Sequence, residues 1–239
     1  MNQNRRLRLW QLLVEHADDR PVTVGHVGTV VLATAGVDRA AVTVVLAAMS
    51  RQTLATSGPE AAELEELTLT LGEGPGIDAV EGGPVLVSDL AAAECLTRWP
   101  MFAPAALDLG VRAVFALPLR VGGVRLGTID LFRDRPGDLS GEQLADALVL
   151  ADTACALLLD DHQHAGSPPN GHRPESAGLH HAEVHQATGM MIVQLGVSAA
   201  VALVRLRAYA YANDRRLRDV AGDVVARRLR FEPDPERDG

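Results

Sequence analysis

The chain has 239 residues, is 47% hydrophobic but only 3% aromatic, and carries a formal net charge of −9. Such a length holds one large or two modest domains, each able to bury a core. The longest apolar runs (27–37 and 41–49) are about half a membrane span, the N-terminus lacks the apolar region and cleavage site of a signal peptide, and Cys95 and Cys155 lie far apart without metal or CxxC spacing, so a reduced, soluble, cytoplasmic protein is expected.

Apolar positions 7, 9, 10, 12, 13 and 14 predict a first helix over 6–17, and a second follows from Thr23 to Ala35, stopped by Gly36. "AAVTVVLAAM" (40–49) is short, β-branched and apolar, as a buried strand should be, with "TLATSG" (53–58) as its hairpin partner. A helix is predicted over 60–72, then the turn "GEGPG" (72–76), a short helix, and a strand at 84–90. Residues 96–110 read as a helix interrupted by Pro100 and Pro104. Residues 112–134 form the clearest pair, two apolar strands around Gly122-Gly123, a dipeptide suited to a tight turn. Ser140 and Gln143 have the spacing of a capping box for a helix reaching about Asp161. Helices flanking an antiparallel sheet make an α+β domain over 1–161, with its core at about 20–160.

Residues 162–178 hold three prolines and three glycines and read as a linker. Three helices are predicted beyond it, over 179–194, 199–212 (capped by Ser198) and 216–229. Their expected core is Ala202, Leu203, Leu206, Ala210, Leu217, Val220, Ala221 and Val224. Charge divides along the same boundary. Residues 1–178 carry 13 arginines against 23 acids, whereas 179–231 carry 8 against 4, before an acidic tail at 232–239. Every basic residue is arginine, so position is more informative than identity, and the two parts face different partners.

Several motifs resist a catalytic reading. "GEGPG" has neither GK[ST] nor G-x-G-x-x-G spacing and is expected to be a structural turn beside a ligand pocket. Six of eight histidines fall within 24 residues, and His181 and His185 are four apart, but no Cys completes a site and no metal is expected. G-x-S-x-G and HExxH are absent, Cys95 stands beside Glu94, and no catalytic residue is assigned. Gly189, inside a predicted helix, is expected to serve close helix packing.

The C-terminal residues carry a resemblance. Ala187-x-Gly189-Met190-Met191, Leu195-Gly196-Val197-Ser198, Ala202-x-x-x-Leu206-Arg207, Asn213-x-Arg215 and Leu217-x-x-Val220-Ala221 resemble the ANTAR domain, an RNA-binding three-helix module of bacterial antitermination regulators. Gly72-Glu73-Gly74-Pro75, "VSDL" (87–90), "RWPMF" (98–102) and "ALPLRVGGVRLGTIDLF" (116–132) are similar to a GAF domain of the kind that precedes ANTAR in actinobacteria. Together they imply a signal-responsive regulator without enzymatic activity. Its module, as a homodimer, would capture RNA stem-loops and prevent a terminator hairpin, and its GAF-like part would hold a small-molecule signal. The expected RNA contacts are Thr188 (where many members carry lysine), Arg205, Tyr209, Arg215, Arg216 and Arg218. Arginine forks suit phosphate and tyrosine rings suit unpaired bases. Glu73, Trp99 and Phe102 are the expected ligand-site residues. Two other readings stay open: a helix-turn-helix DNA-binding regulator, and a GAF-fold redox enzyme. A proline-broken linker favours coupling by docking or dimerisation over a rigid lever.

Overall fold

The computed structural model describes residues 2–46, 50–164 and 182–232. Helices α1 (Asn2–Ala17) and α2 (Val24–Ala35) lead into strands β1 (Arg39–Leu46) and β2 (Ser50–Thr56). Then come α3 (Pro59–Leu71), α4 (Pro75–Gly82), β3 (Val85–Val87), α5 (Ala93–Arg98) and α6 (Phe102–Asp108). The hairpin β4 (Ala113–Val121) and β5 (Val124–Arg133) precedes α7 (Gly141–His164). The five strands form one sheet in the order β2-β1-β5-β4-β3, with every neighbouring pair antiparallel.

Because side chains alternate along a strand, the sheet presents two different faces. Val42 and Val44 of β1, Phe115, Leu117 and Leu119 of β4, and Ile129 and Leu131 of β5 point to one core, packed by α1, α2 and α7. Their neighbours Ala41, Val114 and Phe132 point the other way, against Leu64, Trp99 and Phe102. On that second face Thr43, Thr128 and Asp130 also sit buried, and the polar interior begins there.

The capping box before α7 forms as its spacing predicts. Ser140 Oγ accepts from the Gln143 N–H at 3.2 Å, and the Gln143 side chain accepts from the Ser140 N–H at 2.9 Å. The helix expected over 96–110 is instead two helices broken at Trp99–Met101. Pro100 lies in the break, while Pro104 lies in the first turn of α6, where helix N–H groups have no intrahelical partner to lose. The hairpin partner expected at 53–58 is shifted to Ser50–Thr56. α7 runs through His164, past the point where a linker was expected, and the rest of that linker, with the acidic tail from 233, lies outside the described residues.

The C-terminal module comprises α8 (Ala182–Leu195), α9 (Ala199–Ala212) and α10 (Leu217–Val225), the last ending four residues earlier than expected. All eight predicted core residues are buried. Val184, Ala187 and Met191 of α8 complete the module's buried core, and one more apolar side chain comes from outside the module: Leu69 of α3, only 3% exposed, belongs to the same cluster. The two parts therefore share a hydrophobic contact.

One buried cation joins helix, sheet and loop in the N-terminal domain. The guanidinium of Arg133, at the end of β5, donates to the carbonyls of Ala35 and Gly36, which terminate α2, and to those of Gly137 and Asp138. It also lies over the Phe115 ring, 5.4 Å from the centroid. Lysine is a point donor and cannot reproduce this planar fork. Arg133→Lys is expected to destabilise the domain by about 2–4 kcal/mol, measured by denaturant unfolding. A midpoint unchanged from wild type would show that these four carbonyls do not need the fork.

Candidate functional site

The second face of the sheet closes over charge. Arg51 of β2 (7% exposed) donates to Thr128 Oγ1 at 3.1 Å, to the Asp130 carboxylate at 3.3 Å and to the Gly76 carbonyl at 3.0 Å. Glu65 of α3 accepts from Thr43 Oγ1 at 2.7 Å and lies 3.7 Å from Arg51. Thr128 donates to Asp130 at 2.8 Å. Glu65 Oε1 and Asp130 Oδ1 are buried without a hydrogen-bond partner. Two carboxylates facing one guanidinium leave a negative charge in excess, and a proton held on the pair removes it. Burial first, and the neighbouring Glu65 second, push the Asp130 carboxyl up to about 7.

"GEGPG" serves this interior and its surroundings. Gly72 ends α3 with φ +71°, and a Cβ there would stand 2.7 Å from the Arg207 guanidinium of α9. The Glu73 carboxylate accepts from the backbone N–H groups of Met101 and Phe102, both at 2.7 Å, and so caps the start of α6. Pro75 opens α4. At Gly76 a Cβ would fall 2.7 Å from Asp130, so only glycine lets α4 approach the buried carboxylate. The motif is a junction of three helices.

Trp99 and Phe102 are almost fully buried. The Trp99 indole N–H donates to Asp78 at 3.1 Å, and Arg98 pairs with the same carboxylate while lying over the indole. Beside them a cleft of about 490 Å³ opens between Pro84–Asp89 and the α4–α5 region, with Trp99 and Cys95 in its wall. Burial raises the Cys95 thiol, and Glu94 and Asp89 add to the shift, so the thiolate is disfavoured. Among the described residues no three His, Cys, Asp or Glu side chains gather as a metal site. His181 lies outside the described residues.

The expected RNA residues do not share one surface. Thr188 turns its hydroxyl back to the Val184 carbonyl at 2.7 Å. Arg205 donates to the Glu232 carbonyl, and Tyr209 meets Phe231 edge-on at 5.4 Å, so both face the segment after α10. Arg215, Arg216 and Arg218 surround the start of α10. Arg215 pairs with Asp223 at 2.6 Å, Arg216 with Glu63 of α3 at 3.7 Å, and Arg218 with Asp219 at 3.7 Å. Gly189 corrects its expectation: nothing lies within 4 Å of where its Cβ would be, so close helix packing does not explain it.

The start of α10 meets the N-terminal domain directly. The Leu217 N–H lies 3.3 Å from Thr70 Oγ1, the Arg218 N–H 3.2 Å from a Glu66 carboxylate oxygen, and Arg207 Nε 2.9 Å from the Leu69 carbonyl. A cleft of about 680 Å³ flanks this contact, walled by α3, α6 and the α9–α10 turn. Neither Glu66 nor Arg207 is marked for this role by its neighbours in the chain. The buried trio was more accessible, since Asp130 interrupts an apolar strand on its inward-facing register.

An α+β domain with a charged interior, carrying a basic three-helix module on its third helix, makes a two-part protein. Family models agree on both parts: the GAF domain matches residues 23–159 and the ANTAR domain residues 175–225. The chain belongs to the GAF domain family and ends in an ANTAR domain. GAF is a signal-sensing domain and ANTAR an RNA-binding one; both are regulatory, not catalytic. Among solved structures, the GAF domain of a phosphoenolpyruvate-protein phosphotransferase from Coxiella burnetii is similar at 16% identity and TM-score 0.52, covering 69% of this chain and 99% of that one. The GAF domain of the corresponding protein from Acinetobacter matches at 12% identity and TM-score 0.50, covering 67% and 96%. These likenesses bear on the fold alone. No curated protein matches the chain. Among the described residues no single helix is long and apolar enough to cross a membrane.

The buried pair makes sensor stability depend on pH. The folded domain keeps a proton that the unfolded chain releases, because Asp130 titrates near 7 when folded and near 3.8 when unfolded. Its contribution to stability is therefore full below about pH 4 and is lost as pH rises towards 7. Asp130→Asn, whose amide supplies a hydrogen without ionising, is expected to flatten the pH 4–7 slope of urea-unfolding stability. An unchanged slope would place the titration elsewhere.

Proposed function

We propose that the chain is a cytoplasmic, signal-responsive regulator that acts in transcription antitermination. Its ANTAR module, working as a homodimer, binds RNA stem-loops, and neither domain is catalytic. The observation that carries the reading is the coincidence of the ANTAR match with a net basic segment, 179–231, of an acidic chain. Three arginines there, Arg215, Arg216 and Arg218, ring one helix start and keep 36%, 52% and 46% of their side chains exposed. Screening confines charge effects to roughly 8–10 Å at physiological salt, so of the sensor's many acids only those docked beside these arginines, such as Glu63 at 3.7 Å from Arg216, offset the local field. Thr188, Arg205 and Tyr209 would contribute contacts only after letting go of their present partners.

We assign the small-molecule signal to the cleft beside Trp99, a reading supported by the Trp99 ring in its wall and the carboxylates of Asp78, Asp89 and Glu94 on its rim. Glu73 and Phe102 would act on it indirectly, through the start of α6. In a Trp10→Phe background, Trp99 emission should respond to the correct ligand, and a response that survives filling of the cleft by Gly82→Phe would overturn that assignment.

RNA binding is tested by gel shift of the full chain with short RNA hairpins and with duplex DNA of the same sequence. Preference for the hairpins is expected. Replacing Arg215, Arg216 and Arg218 by alanine should lower the slope of log affinity against log salt by about two units, at about 0.7 per phosphate contact. Preference for duplex DNA would favour the helix-turn-helix reading, and an unchanged slope would move the RNA surface elsewhere.

A further inference from the structure

α10 begins without a cap of its own. Arg216 occupies the N-cap position, and its side chain accepts no hydrogen bond from the helix. The first N–H groups of a helix lack intrahelical partners and form its positive end. Here the sensor supplies the missing groups: Thr70 Oγ1 to the Leu217 N–H, and the Glu66 carboxylate to the Arg218 N–H. Glu63 stands 3.7 Å from Arg216 on the rim. Residues 63, 66 and 70 follow helical spacing and so share one face of α3. At the other end of that face, Arg207 donates to the Leu69 carbonyl in the last turn of α3, where a helix favours a cation.

A carboxylate at the first amides of a helix, bordered by arginines, occupies the place that a phosphate group takes at such an end. We infer that α3 of the sensor and an RNA phosphate compete for the start of α10, so that the docked protein is the RNA-free form. This rests on the reading of the module as RNA-binding. The contact is built to exchange. Burial raises the Glu66 carboxyl above its ordinary range, against the hydrogen bond from Arg218, so desolvation opposes the very bond that holds the dock. Arg207 is likewise desolvated, and Arg51 repels it. RNA affinity is then reduced by the fraction of molecules that are docked.

The test uses the full chain and fluorescent short RNA hairpins with randomised loops. Glu63→Arg repels Arg216 from a half-exposed position and cannot disturb the core, and Glu66→Ala with Thr70→Val removes both caps. Glu60→Arg, in the exposed first turn of α3, adds the same charge as Glu63→Arg away from the dock. The two dock variants should bind hairpins about three- to tenfold more tightly than wild type, while Glu60→Arg should not. Hydrogen exchange should rise over 217–221 in both dock variants, and hairpins added to wild type should raise exchange over 59–71. Equal affinity in wild type and the dock variants overturns the competition and leaves RNA binding intact. The same holds if Glu60→Arg gains as much as Glu63→Arg, or if α10 exchange rises with no gain in affinity. Absence of hairpin binding in every protein overturns the RNA reading itself, and the competition with it.

Discussion

α3 is buried on two sides, and much of the structure follows from that constraint. Leu64 and Glu65 enter the sensor, the first in its apolar core and the second in its polar interior, while Glu66, Leu69 and Thr70 meet the three-helix module. A helix that must satisfy two neighbours cannot be polar all along one face. Accordingly its hydrophobic periodicity is weak, and charge appears where a surface helix would place leucine. Glu65 and Glu66 are adjacent in sequence yet serve different interfaces, because successive residues on a helix point about 100° apart.

The sensor interior illustrates a balance that favours specificity over stability. An apolar filling of the same volume is often neutral or more stable than a buried ion cluster, and this cluster also leaves two carboxylate oxygens without partners. The arrangement persists because every neighbour is shaped to it. Thr43 and Thr128 donate to the carboxylates, Gly76 gives room, and the Gly76 carbonyl takes a second Arg51 hydrogen. Nearby, the opposite face of the sheet is filled by valine, leucine, isoleucine and phenylalanine. The two faces of the sheet thus bury different chemistry, charge on one and hydrocarbon on the other.

Much of the fold was legible in the sequence. Residues 112–134 paired around Gly122-Gly123, the Ser140–Gln143 box formed, and the eight core residues expected on α9 and α10 are buried, though Val184, Ala187 and Met191 of α8 were not foreseen; periodicity and capping are local signals. The break at Trp99–Met101 was harder to place, since a proline can interrupt a helix or open one. The candidate site was legible only in part. Arg215, Arg216 and Arg218 do cluster at one helix start, but Thr188 bonds its own helix and Arg205 and Tyr209 face the C-terminal segment. What each side chain holds in the folded chain is a tertiary fact. No window of sequence reveals that the acids of α3 stand opposite the amides of α10, a separation of 152 residues.

On the competition inferred above, the route between signal and effector would run through space, across α3, and not along the chain. Glu65 touches the charged interior and Glu66 touches α10, so a single turn of helix spans both compartments. Anyone grafting this effector onto a foreign sensor should accordingly treat the outer face of α3 as a portable part of the module. A fusion joined at the tether alone would deliver an effector that no sensor can restrain.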